Sequence, residues 1–347
     1  MTEQFDIKGK TILVTGGTGS FGKKFIRLLR EKHAPKKIII FSRDELKQFE
    51  MQQDFGHEGL RYFLGDVRDV ERLKMAFSDV DVVVHAAALK QVPAAEYNPS
   101  ECIKTNVMGA ENVIQAAIHC GVKRVIALST DKAVNPINLY GATKLCSDKL
   151  FIAANTFGKP KGTSFSVVRY GNVVGSRGSV IPFFCKRRDA GLSIPITDDR
   201  MTRFWITLEE GTEFVTRCLG MMRGGEIFIS KIPSMKITDL TQAIAPNSKV
   251  DIVGIRPGEK LHECMVPAEE SRRTLEFDDM FVIQPDSQSW NHDYSPVYAG
   301  RTGVLVKEGF EYSSGTNTKW VTASQLNTII GNTSSTSDEA SNFSKVV

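Results

Sequence analysis

Between Lys10 and about Val174, short aliphatic and β-branched runs at residues 11–15, 37–41, 61–63, 80–85, 124–129 and 164–168 alternate with segments of different periodicity. In those segments, as at residues 23–32 and 111–119, apolar positions recur at helical spacing. Unbroken apolar runs suit strands covered on both faces, and the helical stripe suits helices lying against them. The alternation predicts an α/β fold with a doubly wound parallel sheet and right-handed crossovers. Beyond about Gly175, Gly and Pro break the pattern, leaving a helix predicted over 207–222 and strands over 226–230 and 249–255. This reads as a smaller C-terminal lobe closing over the carboxyl edge of the sheet. The expected division is residues 1–175 for the sheet domain, 176–310 for a lobe partly interleaved with it, and 311–347 for a polar tail. That tail is rich in Ser, Thr and Asn, with a helical candidate at 323–330 and roughly its last fifteen residues expected to be disordered.

Composition narrows the class. With 347 residues, 41% hydrophobic and 24% charged, the chain has enough apolar material for one large α/β unit or two fused lobes. The net charge of +4 is small, and cations are interspersed with anions, so nucleic acid is not an expected partner. No apolar stretch approaches bilayer-spanning length and no cleavable leader precedes the first strand, so neither membrane anchorage nor export is expected. The six cysteines lie far apart without a CxxC pair, mostly inside apolar or helical runs. They read as reduced, buried thiols of a cytoplasmic protein.

The first chemical signal is Thr15-Gly16-Gly17-Thr18-Gly19-Ser20-Phe21-Gly22, which follows the first strand and opens the first helix. Glycines at 16, 19 and 22 let the backbone turn tightly and approach a pyrophosphate at the positive end of that helix, the fingerprint of a dinucleotide-binding Rossmann sheet. The expected cofactor contacts are Gly16, Thr18, Gly19, Ser20, Phe21 and Gly22. The second strand ends in Ser42-Arg43-Asp44, with Lys47 close behind. An arginine arriving first, flanked by Ser42 and Lys47, suits a ribose 2′-phosphate, so the expected cofactor is NADP. Asp66 and Val67, after the third strand, are placed to meet the adenine. Ala86 and Ala87, after the fourth, are small enough for a ribose to lie against their backbone. His85 and His262 lack metal-like spacing and no metal is expected.

The second signal follows the fifth strand, where Ser129-Thr130-Asp131-Lys132 is succeeded by Tyr140 and Lys144, and no other tyrosine has a lysine four residues on. On a helix that spacing stacks both side chains on one face, so the ammonium is expected to lower the phenol's pKa toward that of a general base.

The glycine motif, the Ser/Thr at a strand end before Tyr140, and the Tyr140-x-x-x-Lys144 pair resemble the extended short-chain dehydrogenase/reductase superfamily. More narrowly, Ser129-Thr130-Asp131-Lys132-Ala133 through Asn135-Pro136-Ile137-Asn138-Leu139-Tyr140-Gly141 resembles inverting UDP-N-acetylglucosamine 4,6-dehydratases of the type that opens pseudaminic acid synthesis. Phe41 to Lys47, His85 to Pro93, Arg169 to Val173 and Ile255 to Glu263 fit the same family, over roughly residues 8–285. The resemblance implies a hydro-lyase that oxidises the sugar 4-hydroxyl with Tyr140 as base, while Lys144 holds the nicotinamide ribose and Thr130 bonds the forming ketone. Asp131 is then the acid toward the departing 6-hydroxyl and Lys132 the base at position 5; a retaining relative has Asp-Glu at these two positions. Reprotonation from the other face falls to Tyr140 or to a water. The resemblance also implies that Lys90, Asn172, Arg177, Arg203, Arg256 and Glu259 hold the UDP-sugar, and that the chain forms a homo-oligomer, a dimer or a hexamer. Three alternatives stay open on the residues: a UDP-hexose 4-epimerase, a retaining 4,6-dehydratase, and a non-catalytic NADP-binding regulatory protein. Lys132 after Asp131 argues against the first two, and the presence of Tyr140, Lys144 and Asp131 argues against the third.

Overall fold

The computed structural model describes residues 5–174, 180–286 and 292–322 together with 325, 326 and 328. It divides into two units, one made of residues 1–170, 209–231 and 264–311, the other of 171–208, 232–263 and 312–347.

The first unit follows the predicted alternation. Strands β1 (Thr11–Thr15), β2 (Lys37–Ser42), β3 (Leu60–Leu64), β4 (Val82–His85), β5 (Arg124–Thr130) and β6 (Ser164–Tyr170) pair in parallel in the order 3-2-1-4-5-6. Ile12, Leu13, Val14, Val82, Val83, Val84, Val125 and Ile126 are inaccessible to solvent, as strands covered on both faces demand. Between them lie α1 (Ser20–Lys32), α2 (Glu45–Phe55), α3 (Val70–Phe77), the short α4 (Val92–Tyr97) and α5 (Pro99–Ile103), a π-turn at Lys104–Met108, α6 (Gly109–Cys120) and α7 (Leu139–Ala153). The chain order reverses between β1 and β4, the switch point beside which such sheets bind ligands at their carboxyl ends.

The same sheet continues beyond β6. Ile227–Ser230 adds in parallel, then Met280–Ile283, Thr274–Glu276 and Val304–Leu305 add antiparallel. The strand at 227–230 and the helix Leu208–Met221, expected in the lobe, therefore belong to the sheet unit. Period alone does not say which sheet a short buried strand joins.

The second unit is built from Thr202–Ile206 flanked by Asn172–Val173 and Ser234–Lys236, a two-stranded pair of Ile194–Ile196 with Val250–Ile252, and helices Val180–Asp189 and Ile237–Ile244. Its core gathers Ile181, Phe184, Ile194, Trp205, Met235, Leu240 and Leu326. The segment after 311, polar in composition, enters this unit. The Tyr312 hydroxyl donates to the Ile232 carbonyl at 2.8 Å, and the Ser314 amide to the Glu263 carbonyl at 2.8 Å. Most of the helical candidate at 323–330, and the tail end expected to be disordered, lie outside the described residues.

Among the described residues, no helix is long and apolar enough to cross a membrane, and no cluster of His, Cys, Asp and Glu is arranged for a metal. All six cysteines are free thiols. Cys102 and Cys218 are buried as expected, but Cys146 is exposed on the outer side of α7.

Candidate active site

The glycine loop has the shape a diphosphate needs. Gly16 adopts φ +67°, and a Cβ there would lie 2.9 Å from the backbone of Ala87, so a side chain would fill the gap between the ends of β1 and β4. The Thr15 hydroxyl closes that gap by accepting the amides of Ala86 and Ala87, which fixes the small residues expected beside the ribose. Gly19 caps α1 without a side-chain cap hydrogen bond, at the helix end where a dinucleotide pyrophosphate binds in such folds. Gly22 packs α1 against Gly17, Thr18 is buried, and Phe21 stacks on Phe25 at 5.5 Å between centroids. The residues present fit a dinucleotide pyrophosphate.

At the end of β2 the side chains divide. Asp44 caps α2 by accepting the Lys47 amide at 3.0 Å, and it pairs with the Lys47 ammonium. Ser42 is buried, its hydroxyl accepting from Gln48 at 3.1 Å. Arg43 is 53% exposed, its guanidinium 3.8 Å from Asp66. Asp66 accepts from the Arg68 amide and guanidinium, and these donors hold its carboxyl below the usual range despite partial burial. Val67 is buried and its carbonyl accepts from Asn112.

The reactive cluster stands where β5 ends. Thr130 caps a single 3₁₀ turn, Asp131–Ala133. The Thr130 hydroxyl donates to Asp131 Oδ1 at 2.8 Å, and Lys132 Nζ donates to the same oxygen at 3.1 Å. Asp131 is 0% exposed, and its Oδ2 has no partner among the described residues. Asn138 caps α7 through the Gly141 amide and sets Tyr140 in the first turn. A Cβ on Gly141 would fall 2.2 Å from the Lys132 carbonyl, so this glycine is what lets the helix of Tyr140 close on the turn of Asp131 and Lys132.

One expectation needs correction. Lys144 does not acidify the phenol here: burial pushes Tyr140 up to about 12, and the leading opposing influence is the Lys132 ammonium, with the Thr130 hydroxyl also helping. The Lys144 ammonium instead donates to the Leu128 carbonyl at 2.7 Å, and burial lowers its own pKa. The Thr130 hydroxyl, the group expected to bond the forming ketone, donates to Asp131.

Lys90 lies in the loop after β4. It is exposed overall, yet desolvation of its ammonium and repulsion by Lys132 make it easier to deprotonate than a free lysine. Thr130, Asp131, Lys132, Tyr140 and Lys90 thus share one electrostatic neighbourhood. The loop of Lys90 is pinned by Asn106 in the π-turn, whose side chain bonds both the amide and the carbonyl of Leu89 and also donates to Thr143 of α7. Sequence reading missed both Asn106 and Gly141. A glycine directly after Tyr140 was the available signal for the second, and nothing local marks the π-turn of the first.

Of the remaining expected substrate residues, those described belong to the second unit. Arg203 donates to the carbonyls of Thr202 and Leu261 at 2.7 and 3.2 Å and approaches Glu263, so its guanidinium is engaged in holding that unit together. Arg256 is exposed and 3.9 Å from Glu259, which accepts from Thr197 at 3.1 Å. Asn172 pairs in register with Trp205. Arg177 lies outside the described residues. His262 Nδ1 lies 2.8 Å from the Thr202 hydroxyl, within hydrogen-bond distance.

Residues 12–285 match the family described as Polysaccharide biosynthesis protein. A Campylobacter jejuni protein named UDP-N-acetylglucosamine 4,6-dehydratase (inverting) is 58% identical over 94% of this chain and 98% of its own length. Among solved structures, Pen from Bacillus thuringiensis superposes with a TM-score of 0.86 at 36% identity, covering 95% of this chain and 99% of that one. DesIV, a dTDP-glucose 4,6-dehydratase from Streptomyces venezuelae solved with NAD and TYD bound, gives 0.66 at 25% identity, covering 72% and 86%.

Proposed function

The chain belongs to the Polysaccharide biosynthesis protein family, with the inverting UDP-N-acetylglucosamine 4,6-dehydratases among its relatives, and on that premise we propose that it dehydrates UDP-N-acetylglucosamine with inversion at position 5. The product is a UDP-4-keto-6-deoxy-L-arabino-hexose, a precursor for pseudaminic acid or a related glycan. The observation that carries this reading is the Asp131-Lys132 pair beside Tyr140, with one buried carboxylate oxygen left without a partner among the described residues.

A nicotinamide dinucleotide supplies the hydride acceptor for carbon 4 and the hydride donor for carbon 6. The rest falls to side chains. Tyr140 removes the proton of the 4-hydroxyl, and the resulting ketone makes the hydrogen at position 5 acidic. Lys132, as the free amine, takes that proton while Asp131, protonated, gives one to the departing 6-hydroxyl, so that water leaves and a double bond forms between carbons 5 and 6. Hydride return to carbon 6 is matched by a proton at carbon 5 from the opposite face, delivered by the Tyr140 phenol or by a water, and this completes the inversion.

Arg43 supports NADP as the dinucleotide, because it is exposed at the end of β2 while Asp44, the acid nearest that end, is engaged by Lys47. Lys144 takes the nicotinamide ribose. The second unit is the substrate lobe in this reading, with Asn172, Arg177, Arg203, Arg256 and Glu259 toward the uridine diphosphate. Of the two described arginines among these, Arg256 is exposed while Arg203 is engaged by the Thr202 and Leu261 carbonyls, so Arg256 has the guanidinium better disposed for a diphosphate.

The deciding experiment is incubation with UDP-N-acetylglucosamine in deuterated water, followed by NMR. A 4-keto-6-deoxy product carrying deuterium at position 5 with inverted geometry is expected. Retained geometry, or absence of turnover with any UDP-hexose in the presence of NADP, rejects the proposal.

A further inference from the structure

Behind the reactive cluster lies a set of buried charges that the reaction as described does not use. Lys144 is 3% exposed and forms no ion pair within 4.0 Å among the described residues. One turn later on α7, Asp148 is 1% exposed. The spacing puts both on one helical face. Asp148 Oδ2 accepts from the Ser129 hydroxyl at 2.8 Å and lies 3.6 Å from Arg169 Nη2, while its Oδ1 has no partner among the described residues. Ser129 and Arg169 are register partners on β5 and β6, so neighbouring strands deliver both groups to the carboxylate. Arg169 is itself fixed by the Met265 carbonyl at 2.7 Å and by Glu270 at 3.3 Å.

We propose that Asp148, held in place by Ser129 and Arg169, is the buried counter-ion of Lys144 and acts on the reaction through that lysine. It is a positioning residue, and its role rests on the placement of Lys144 in the dinucleotide site. A buried ammonium without a nearby anion sheds its proton, and a buried carboxylate without a cation takes one up. The series Arg169, Asp148, Lys144 alternates cation, anion and cation, so that each charge has an opposite one next to it in the series. Burial lowers Lys144 while Asp148 opposes the change; burial raises Asp148 while Arg169, Lys144 and Ser129 oppose it. The other charged groups around them do not substitute. His85 on β4 is held neutral down to about pH 3, and Glu270 repels Asp148. On the helices packed against α7, Glu101 pairs with Arg68 and Lys104, and Glu96 accepts the Leu139 amide.

The test follows the Lys144 ammonium directly, by NMR of the ¹⁵N-lysine-labelled full chain without substrate or dinucleotide, assigned with Lys144→Arg. Wild-type Lys144 is expected to remain protonated at about pH 8. Asp148→Asn is expected to lower its titration midpoint by about one pH unit or more, and Asp148→Glu to restore it. The alkaline limb of the kcat profile should move with it. An unchanged midpoint in a folded Asp148→Asn protein overturns the proposal. So does a wild-type Lys144 already neutral at about pH 8, which keeps the test decisive if that variant does not fold. Because the titration is read without turnover, failure of the dehydratase reading leaves it standing or falling on its own.

Discussion

The Thr130 hydroxyl donates to one oxygen of the Asp131 carboxylate across 2.8 Å, while the other oxygen, fully buried, has no partner among the described residues. A buried carboxylate left half satisfied costs stability unless something binds there. Its neighbours explain the asymmetry, because Thr130 and Lys132 both reach for the same oxygen and leave Oδ2 directed away from them.

Replacing Asp131 by Asn keeps the volume and removes the transferable proton. The expected result is a fall in kcat of about a hundred- to ten-thousand-fold with UDP-N-acetylglucosamine, and little change in dinucleotide affinity. Steady-state kinetics together with a dinucleotide titration checks both halves. Loss of binding and turnover together would mean that the carboxylate is structural.

Gly141→Ala tests how closely α7 approaches the Asp131–Ala133 turn. The added Cβ would sit 2.2 Å from the Lys132 carbonyl, a backbone atom that cannot swing aside. Either the helix or the turn must move by roughly an ångström, which is enough to cost about a hundredfold in turnover. Stability should fall by about 1–3 kcal/mol, as overpacking does. Urea unfolding and kcat measured on the same preparation decide the point, and wild-type values in both would refute the close approach.

The six parallel strands were legible in the sequence because most of them carry short aliphatic or β-branched runs, such as 12–14, 38–41 and 82–84, that suit burial on both faces. The glycine loop was legible for a similar reason: Gly16 and Gly22 sit where any side chain would collide with backbone. What local pattern could not convey was connection across distance. The strand at 227–230 joins β6 rather than the second unit, and Asn106 reaches Leu89 from a π-turn that no period announces. Electrostatics was legible in kind and not in sign. The Tyr140-Lys144 spacing does fall within one helix, but burial governs the phenol and Lys132, not Lys144, opposes it.

Arg43→Ala addresses the choice of dinucleotide. With an exposed guanidinium at the end of β2, a 2′-phosphate gains a charge-assisted bond that a 2′-hydroxyl does not. Affinity for NADP should fall by about ten- to a hundredfold, and affinity for NAD by much less. Calorimetric titration of both dinucleotides into both proteins reads the difference. Equal losses would assign Arg43 to the surface ion pair with Asp66.

The last prediction concerns acid. His85 is 1% exposed at the end of β4, its Nδ1 2.8 Å from the Thr15 hydroxyl, which also accepts the amides of Ala86 and Ala87. A hydroxyl accepting two amides has its own hydrogen left to give, so Thr15 donates to Nδ1 and the ring is neutral. Burial, and secondarily Lys144, depress its pKa from 6.5 to about 3. The folded value lies below the unfolded one, so the stability contributed by neutral His85 is fully present above about pH 6.5 and is lost as pH falls toward about pH 3. A shift of this size corresponds to a few kcal/mol across the window. His85→Leu removes the titration: the variant should be less stable than wild type at neutral pH, for want of the Thr15 bond, but lose less on acidification. Urea midpoints for the two proteins should therefore converge between about pH 6 and about pH 4. Parallel curves would mean that protonation of His85 is tolerated where it stands, and the switch point between β1 and β4 would then not depend on its neutrality.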